Sequence, residues 1–126
     1  MAGRLGCAED AEVVHVVRLR SARGNPIAKM TNYLPGDLAD FTAEDLNQAG
    51  LYELMRRRGV HLHSATQIVG ARPATPAEAT LLHEPRGAAL LTMQRVTLDD
   101  TGRAVEYATH LYAASRYSFE IHLVRP

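Results

Sequence analysis

The 126-residue chain has little of three things that would narrow its function at once: cysteine, net charge and long apolar runs. Its single cysteine, Cys7, excludes an internal disulfide and a Cys-rich zinc site, and it fits a reducing, cytoplasmic setting. Fourteen basic side chains balance fourteen acidic ones. A chain with no basic surplus is poorly suited to grip nucleic acid by itself, because phosphate binding needs a positive surface. No apolar run is long enough to cross a bilayer. Met1–Glu12 lacks the apolar core of a signal peptide and reads as a linker or leading end before the first strand. There is no nucleophile–base pair, Gly-rich phosphate loop or metal motif, so no catalytic residue and no cofactor are expected. His61 and His63 share a strand face as a two-imidazole pair, but no third ligand stands nearby, so no metal is expected either. What is present is a globular composition, 46 % hydrophobic and 22 % charged, in a chain long enough for one domain with one core.

The valine-rich stretch Glu12–Ala22 predicts a strand, with Val13, Val17 and Leu19 on one face and Val14, Val16, Arg18 and Arg20 on the other. Arg23-Gly24-Asn25 is a turn signal, and Pro26–Leu34 is the returning strand. Pro35-Gly36 breaks it. Thr42 and Asp45 form a near capping box ahead of a short helix, Ala43–Gln48, and Gly50 opens a second, Leu51–Arg58, closed by Gly59. Val60–Ala71 alternates as a third strand. Thr75-Pro76-Ala77-Glu78 is the clearest local signal: threonine caps, proline takes the first helical position and glutamate reaches back, giving a helix to about Leu82. Ala88–Leu98, a turn at Asp99–Gly102, Arg103–Ala113 and Ser118–Val124 supply three more strands. Six strands joined largely by tight turns predict an α+β fold, an antiparallel sheet with helices on one side.

The motifs R-L-R, a glycine turn, P-I-A-x-x-x-x-Y-L-P, L-Y-E-L, T-P-A-E-A-x-L-L, L-L-x-M-x-R, D-x-x-G-x-x-V-E-Y and R-Y-x-F follow one another from about Val14 to Val124. Taken together they resemble the UTRA domain, the ligand-binding domain of the HutC branch of GntR transcription regulators. The resemblance implies a chorismate lyase-like fold, an antiparallel sheet flanked by helices, spanning residues 13–126. It also implies a homodimer and a DNA contact made only through an N-terminal winged helix-turn-helix that this chain does not supply. No membrane partner is implied.

Arg18 and Arg20 stand two apart on a predicted strand, so two planar donor forks project from one face and suit a phosphate or carboxylate. Spacing alone favours the ordinary alternative, a solvated sheet face with salt bridges. The resemblance implies the binding role, since both match positions that hold the anionic group in sugar-phosphate-sensing relatives. Glu106, His110 and Tyr112 alternate on one face of the fifth strand. Glu106 and Tyr112 match positions that touch the polar body of the effector, and a carboxylate and a phenol can together read hydroxyl or amine groups. Tyr52 matches a pocket-lining position at the start of the second helix, where the N–H groups of Gly50, Leu51 and Tyr52 would face an anion. Each also has an ordinary structural reading, as an edge glutamate, a core tyrosine or a packed helix residue.

Two departures stand out. Gly50 and Met30 occupy positions where sugar-phosphate-binding relatives often carry serine and glutamate, so one hydroxyl and one acceptor are gone. A thioether is apolar and adaptable. The pair points away from an amino-sugar phosphate and toward a less polyhydroxylated effector with an acidic end. The leading expectation is therefore an effector-sensing domain for a small anionic metabolite: a phosphorylated sugar, phosphonate or organic acid. A chorismate lyase-like enzyme and a ligand-free dimerisation module are the alternatives, and fold likeness alone does not carry an activity across.

Overall fold

The computed structural model describes residues 12–38 and 41–124. Most of the expected linker, Met1–Ala11, and Cys7 with it, lies outside the described residues. The elements are β1 (Val13–Ala22), β2 (Asn25–Pro35), a 3-10 turn at Gly36–Leu38, α1 (Ala43–Gln48), α2 (Leu51–Arg57), β3 (Leu62–Pro73), α3 (Pro76–Leu81), β4 (Ala89–Asp99) and β5 (Ala104–Ala113). All five strands join one antiparallel sheet in the order β1-β2-β5-β4-β3.

Local chemistry accounts for most boundaries. Arg23 and Gly24 both adopt positive φ (52° and 79°), closing the β1–β2 hairpin between the paired residues Ala22 and Asn25. This is the conformation that favours glycine and matches the twist of a two-residue hairpin. Thr42 and Thr75 each accept a hydrogen bond from the N–H three residues on, and Asp45 and Glu78 return the bond to the cap N–H, so both capping boxes form. Glu78 also takes a two-pronged contact from Arg72 (2.7 and 2.8 Å), which ties α3 to β3 and, with the cap, pulls its carboxyl down to about 2.

Two corrections concern architecture. The helices do not share one side of the sheet. α2 buries Leu51 and Met55 against Leu34, Val60 and Val105. α3 buries Ala79 against Leu90, with Leu111 alongside. Leu90 and Leu111 have the opposite strand parity to Leu91 and Tyr112, which pair across the sheet on the α2 side. The second correction is the sixth strand: Ser118–Val124 carries no strand. Its alternation is real, and Phe119, Ile121 and Leu123 are exposed. A strand also needs a ladder partner, and β5, from which this segment departs, is already paired on both sides.

A β-bulge prepares the site. Thr97 pairs with Glu106 but Leu98 pairs with Ala104, so Val105 is an extra residue in β5. The bulge lets two successive side chains serve the α2 side: Val105 enters the apolar cluster beneath α2, and Glu106 enters the polar group beside it. A second bulge, between Leu62 and Ser64, makes His63 the unpaired residue. His61 precedes β3, so the simple two-residue alternation expected for these imidazoles does not hold.

Candidate functional site

Cross-strand register sets the site. Arg18 pairs with Met30, Met30 with His110, and His110 with Met93, so these four form one row across the α2 side of the sheet. The next row contains Val16, Asn32, Ala108 and Arg95, and the row on the other side contains Arg20, Ala28, Tyr112 and Leu91. Adjacent strands lie about 4.8 Å apart, so Arg18 and His110, two strands apart, flank Met30 at a separation of about 10 Å. α2 covers the rows from above, and between helix and sheet lies a half-open cavity of about 400 Å³.

The cavity is lined by Arg18, Met30, Asn32, Gly50, Tyr52 and His110, with Glu106 and Arg95 deeper and Glu53 and Arg56 on the helix side. Six of the eight expected site residues are thus brought together. Arg20 and Tyr112 share the face but lie one row away and do not line the cavity. Arg20 is exposed. Tyr112 stacks on Tyr117 (4.2 Å between ring centroids) and its hydroxyl meets His110 Nδ1 at 2.9 Å, so it orients the imidazole from behind.

Glu106 is the centre of the polar group. It is fully buried. Its Oε1 accepts from Tyr52 O–H (2.8 Å), Thr97 O–H (2.8 Å) and Arg95 Nε (3.2 Å). Its Oε2 accepts from Asn32 Nδ2 (2.6 Å) and Arg95 Nη2 (3.4 Å). Burial pushes the carboxyl up, but Arg95, with the Tyr52 and Thr97 hydroxyls, outweighs it and holds the group below the ordinary carboxylate range, ionised. Burial, and after it the same carboxylate, drives the Tyr52 phenol up to about 12, so Tyr52 stays a donor. Arg95 lies over the Tyr52 ring, 5.3 Å from its centroid. Asn32, in turn, accepts from Arg18 Nη2 at 3.1 Å.

Among the described residues, two buried side-chain atoms have no partner: Arg18 Nε and His110 Nε2. Burial lowers the Arg18 pKa from its ordinary value, and among the described residues Arg18 has no direct carboxylate contact. His110 is pushed down to about 4, first by burial and then by the Arg95 charge, and is neutral at physiological pH.

Sequence reasoning missed Asn32, Arg95, Glu53 and Arg56. The first two had a signal. Asn32 has the strand parity of Met30, and Arg95 that of Met93. What was missing was the register that sets β4 beside β5 and so places Arg95 against Glu106.

An antiparallel five-stranded sheet, covered on one face by a short helix over a cavity with partly buried cations, defines a class of α+β domain that encloses a small polar site. The chain belongs to the UTRA domain family, whose model matches residues 1–118. It is 29 % identical over 126 residues to the HTH-type transcriptional repressor NagR of Bacillus subtilis, covering 99 % of this chain and 52 % of the relative. The chain thus spans about half the length of the curated relatives it matches. Among solved structures it is similar to a Streptomyces coelicolor protein assigned as a transcriptional regulator, with TM-score 0.92 and 56 % identity over 99 % of this chain and 84 % of that one. It is also similar to the ligand-binding domain of a Bordetella bronchiseptica protein assigned to the GntR family of transcriptional regulators, with TM-score 0.87 and 28 % identity over 98 % and 78 %. The α+β class and antiparallel sheet expected from the sequence agree with these structures. The relatives are regulators rather than enzymes. No helix among the described residues is long and apolar enough to cross a membrane.

Proposed function

We propose that this chain is the effector-sensing and dimerisation domain of a cytoplasmic GntR-type transcription regulator, and that its effector is a small anionic metabolite seated on Arg18. The observation that carries this is the imbalance of the cavity. Its buried carboxylate, Glu106, is engaged by Arg95, and the second floor guanidinium, Arg18, is left with a neutral amide as its partner. A half-buried cation without a direct counter-charge carries a desolvation cost, and an anionic ligand relieves that cost on binding. Arg20, exposed one row away, adds field at the mouth rather than a direct contact. A winged-helix domain elsewhere in the full regulator would hold the operator, and the effector would act by favouring one arrangement of domains over another.

Inorganic phosphate is the simplest probe. By calorimetry, Arg18→Ala is expected to weaken phosphate binding at least about thirtyfold, because it removes a charged partner from a part-buried site. Its stability should change by less than about 1 kcal/mol, since Arg18 makes one side-chain hydrogen bond. Equal phosphate affinity in the variant and the parent would sink the reading.

The dimer rests on exposed strand surface. β3 is an edge strand with Ile68 and Val69 exposed, and the alternating Ser118–Val124 segment has no ladder partner among the described residues. Open edges and unpaired apolar strands are what a second copy can cover. Sedimentation of the chain should give twice the monomer mass at micromolar concentration, and a monomer at 100 µM, on the order of the weakest useful self-association, would refute this part.

A further inference from the structure

We infer that the cavity selects an oxyanion whose remaining body carries no ammonium group, and that His110 supplies, with Arg18, the second donor to that oxyanion. This rests on the sensing function proposed above and narrows its ligand.

A ligand's amine is best held by a free carboxylate oxygen, and the floor has none to spare. A carboxylate offers about four lone-pair positions. Glu106 already receives five hydrogen bonds from four side chains, so both oxygens are filled from within the protein. Asn32 Oδ1 already accepts from Arg18 and, as a neutral amide oxygen, is a weaker partner for an ammonium than a carboxylate. The Gly50 carbonyl accepts from Leu54 N–H inside α2. Met30, at the centre of the row between Arg18 and His110, offers a thioether, a weak acceptor. The one further carboxylate, Glu53, lies toward solvent and bridges Arg57 at 3.0 Å.

Donors, by contrast, are in surplus. Arg18 Nε has no partner, and neither has His110 Nε2. A phenol is the better donor and imidazole the better acceptor, so the 2.9 Å contact is assigned as Tyr112 O–H donating to His110 Nδ1. That assignment puts the proton of the neutral ring on Nε2, a buried donor on a residue that lines the cavity. The imidazole is 3 % exposed, and leaving such a group unpaired is unfavourable unless something completes it. Arg18 and His110 flank Met30 from either side, so an oxyanion above the thioether bonds both. The ligand's body then meets Met30 and the Leu51 side of α2. An ammonium group brought to the same place would meet Arg18 and Arg95, with the Glu106 carboxylate already taken up by its own four donor side chains.

The test uses the whole 126-residue chain and three probes in calorimetry: inorganic phosphate, propyl phosphate and 3-aminopropyl phosphate. The last two match in size and differ in the ammonium group. Propyl phosphate is expected to bind at least tenfold tighter than its amino analogue, a comparison that needs no variant and so no assumption about folding. His110→Phe should weaken propyl phosphate about tenfold, and Met30→Gln, which restores an acceptor, should narrow the gap between the two alkyl phosphates. Equal or tighter binding of the amine overturns the selectivity, and unchanged binding in His110→Phe overturns the role of His110. Either result leaves the anion-sensing function intact if Arg18→Ala still abolishes binding. Failure of all three probes to bind the parent chain overturns both readings together.

Discussion

Glu106→Gln should unfold this domain more readily by about 3–5 kcal/mol, the usual cost of removing one partner from a buried ion pair. The substitution keeps the size of the side chain and removes its charge. Arg95, whose side chain is mostly buried, would then carry a guanidinium facing an amide. The new amide N–H₂ would also confront a donor, Asn32 or Arg95, where a carboxylate oxygen now accepts from both. For a domain of this size that loss corresponds to a fall in Tm of more than about 10 °C. Arg95→Met removes the other charge and leaves Tyr52, Thr97 and Asn32 to satisfy the carboxylate, so it should cost less. The double variant should be much more stable than the two losses added together, because neither charge is then stranded. Urea unfolding of the four proteins measures this directly. Additive losses would mean that Glu106 and Arg95 do not act as a pair, and a loss under 1 kcal/mol for Glu106→Gln would remove the carboxylate from the centre of the structure.

That role for Glu106 differs from the one its position in the sequence suggested. Strand alternation placed Glu106, His110 and Tyr112 on one face, and they are there. Alternation could not tell a carboxylate that meets a ligand from one that holds four side chains in place, because that depends on which strands lie beside β5 and in what register. Long-range pairing is set by the whole core, not by any local pattern. The capping boxes at Thr42 and Thr75 and the hairpin turn at Arg23-Gly24 were legible because a few adjacent residues determine them. The bulge at Val105 was not, since one extra residue in a strand leaves no mark on composition and only the paired strand reveals it. The segment Ser118–Val124 fails for a related reason. Its alternation records a strand's chemistry, but a strand exists only with a partner, and this chain offers none beside β5.

His110 gives the last expectation, a loss of stability in mild acid that begins well above the carboxylate range. Its ordinary pKa is 6.5, and in the folded protein it is pushed down to about 4 by burial, by Arg95 on β4 and by Arg18 on β1, with Glu106 on its own strand opposing them. A histidine lowered on folding is protonated first in the unfolded chain. The unfolded state therefore gains a proton as pH falls below 6.5, the folded state does not until about pH 4, and stability declines between those limits and levels off with respect to this group below them. From pH 7.5 to pH 5 the decline from this one group is about 2 kcal/mol, roughly a 1 M fall in the urea midpoint. Glu106 and Glu78 are lowered too, but their stabilisation is lost only as pH falls through their folded pKa values, and that loss starts below their ordinary 4.5. The upper part of the window therefore belongs to the imidazole. His110→Phe should hold its urea midpoint between pH 7.5 and pH 5 while the parent chain loses ground, and parallel decline of the two would show that His110 is not held neutral. Phosphate should flatten the parent's profile as well. An oxyanion beside Nε2 favours the protonated ring, so the folded state would then accept the proton at a higher pH and the difference from the unfolded chain would shrink.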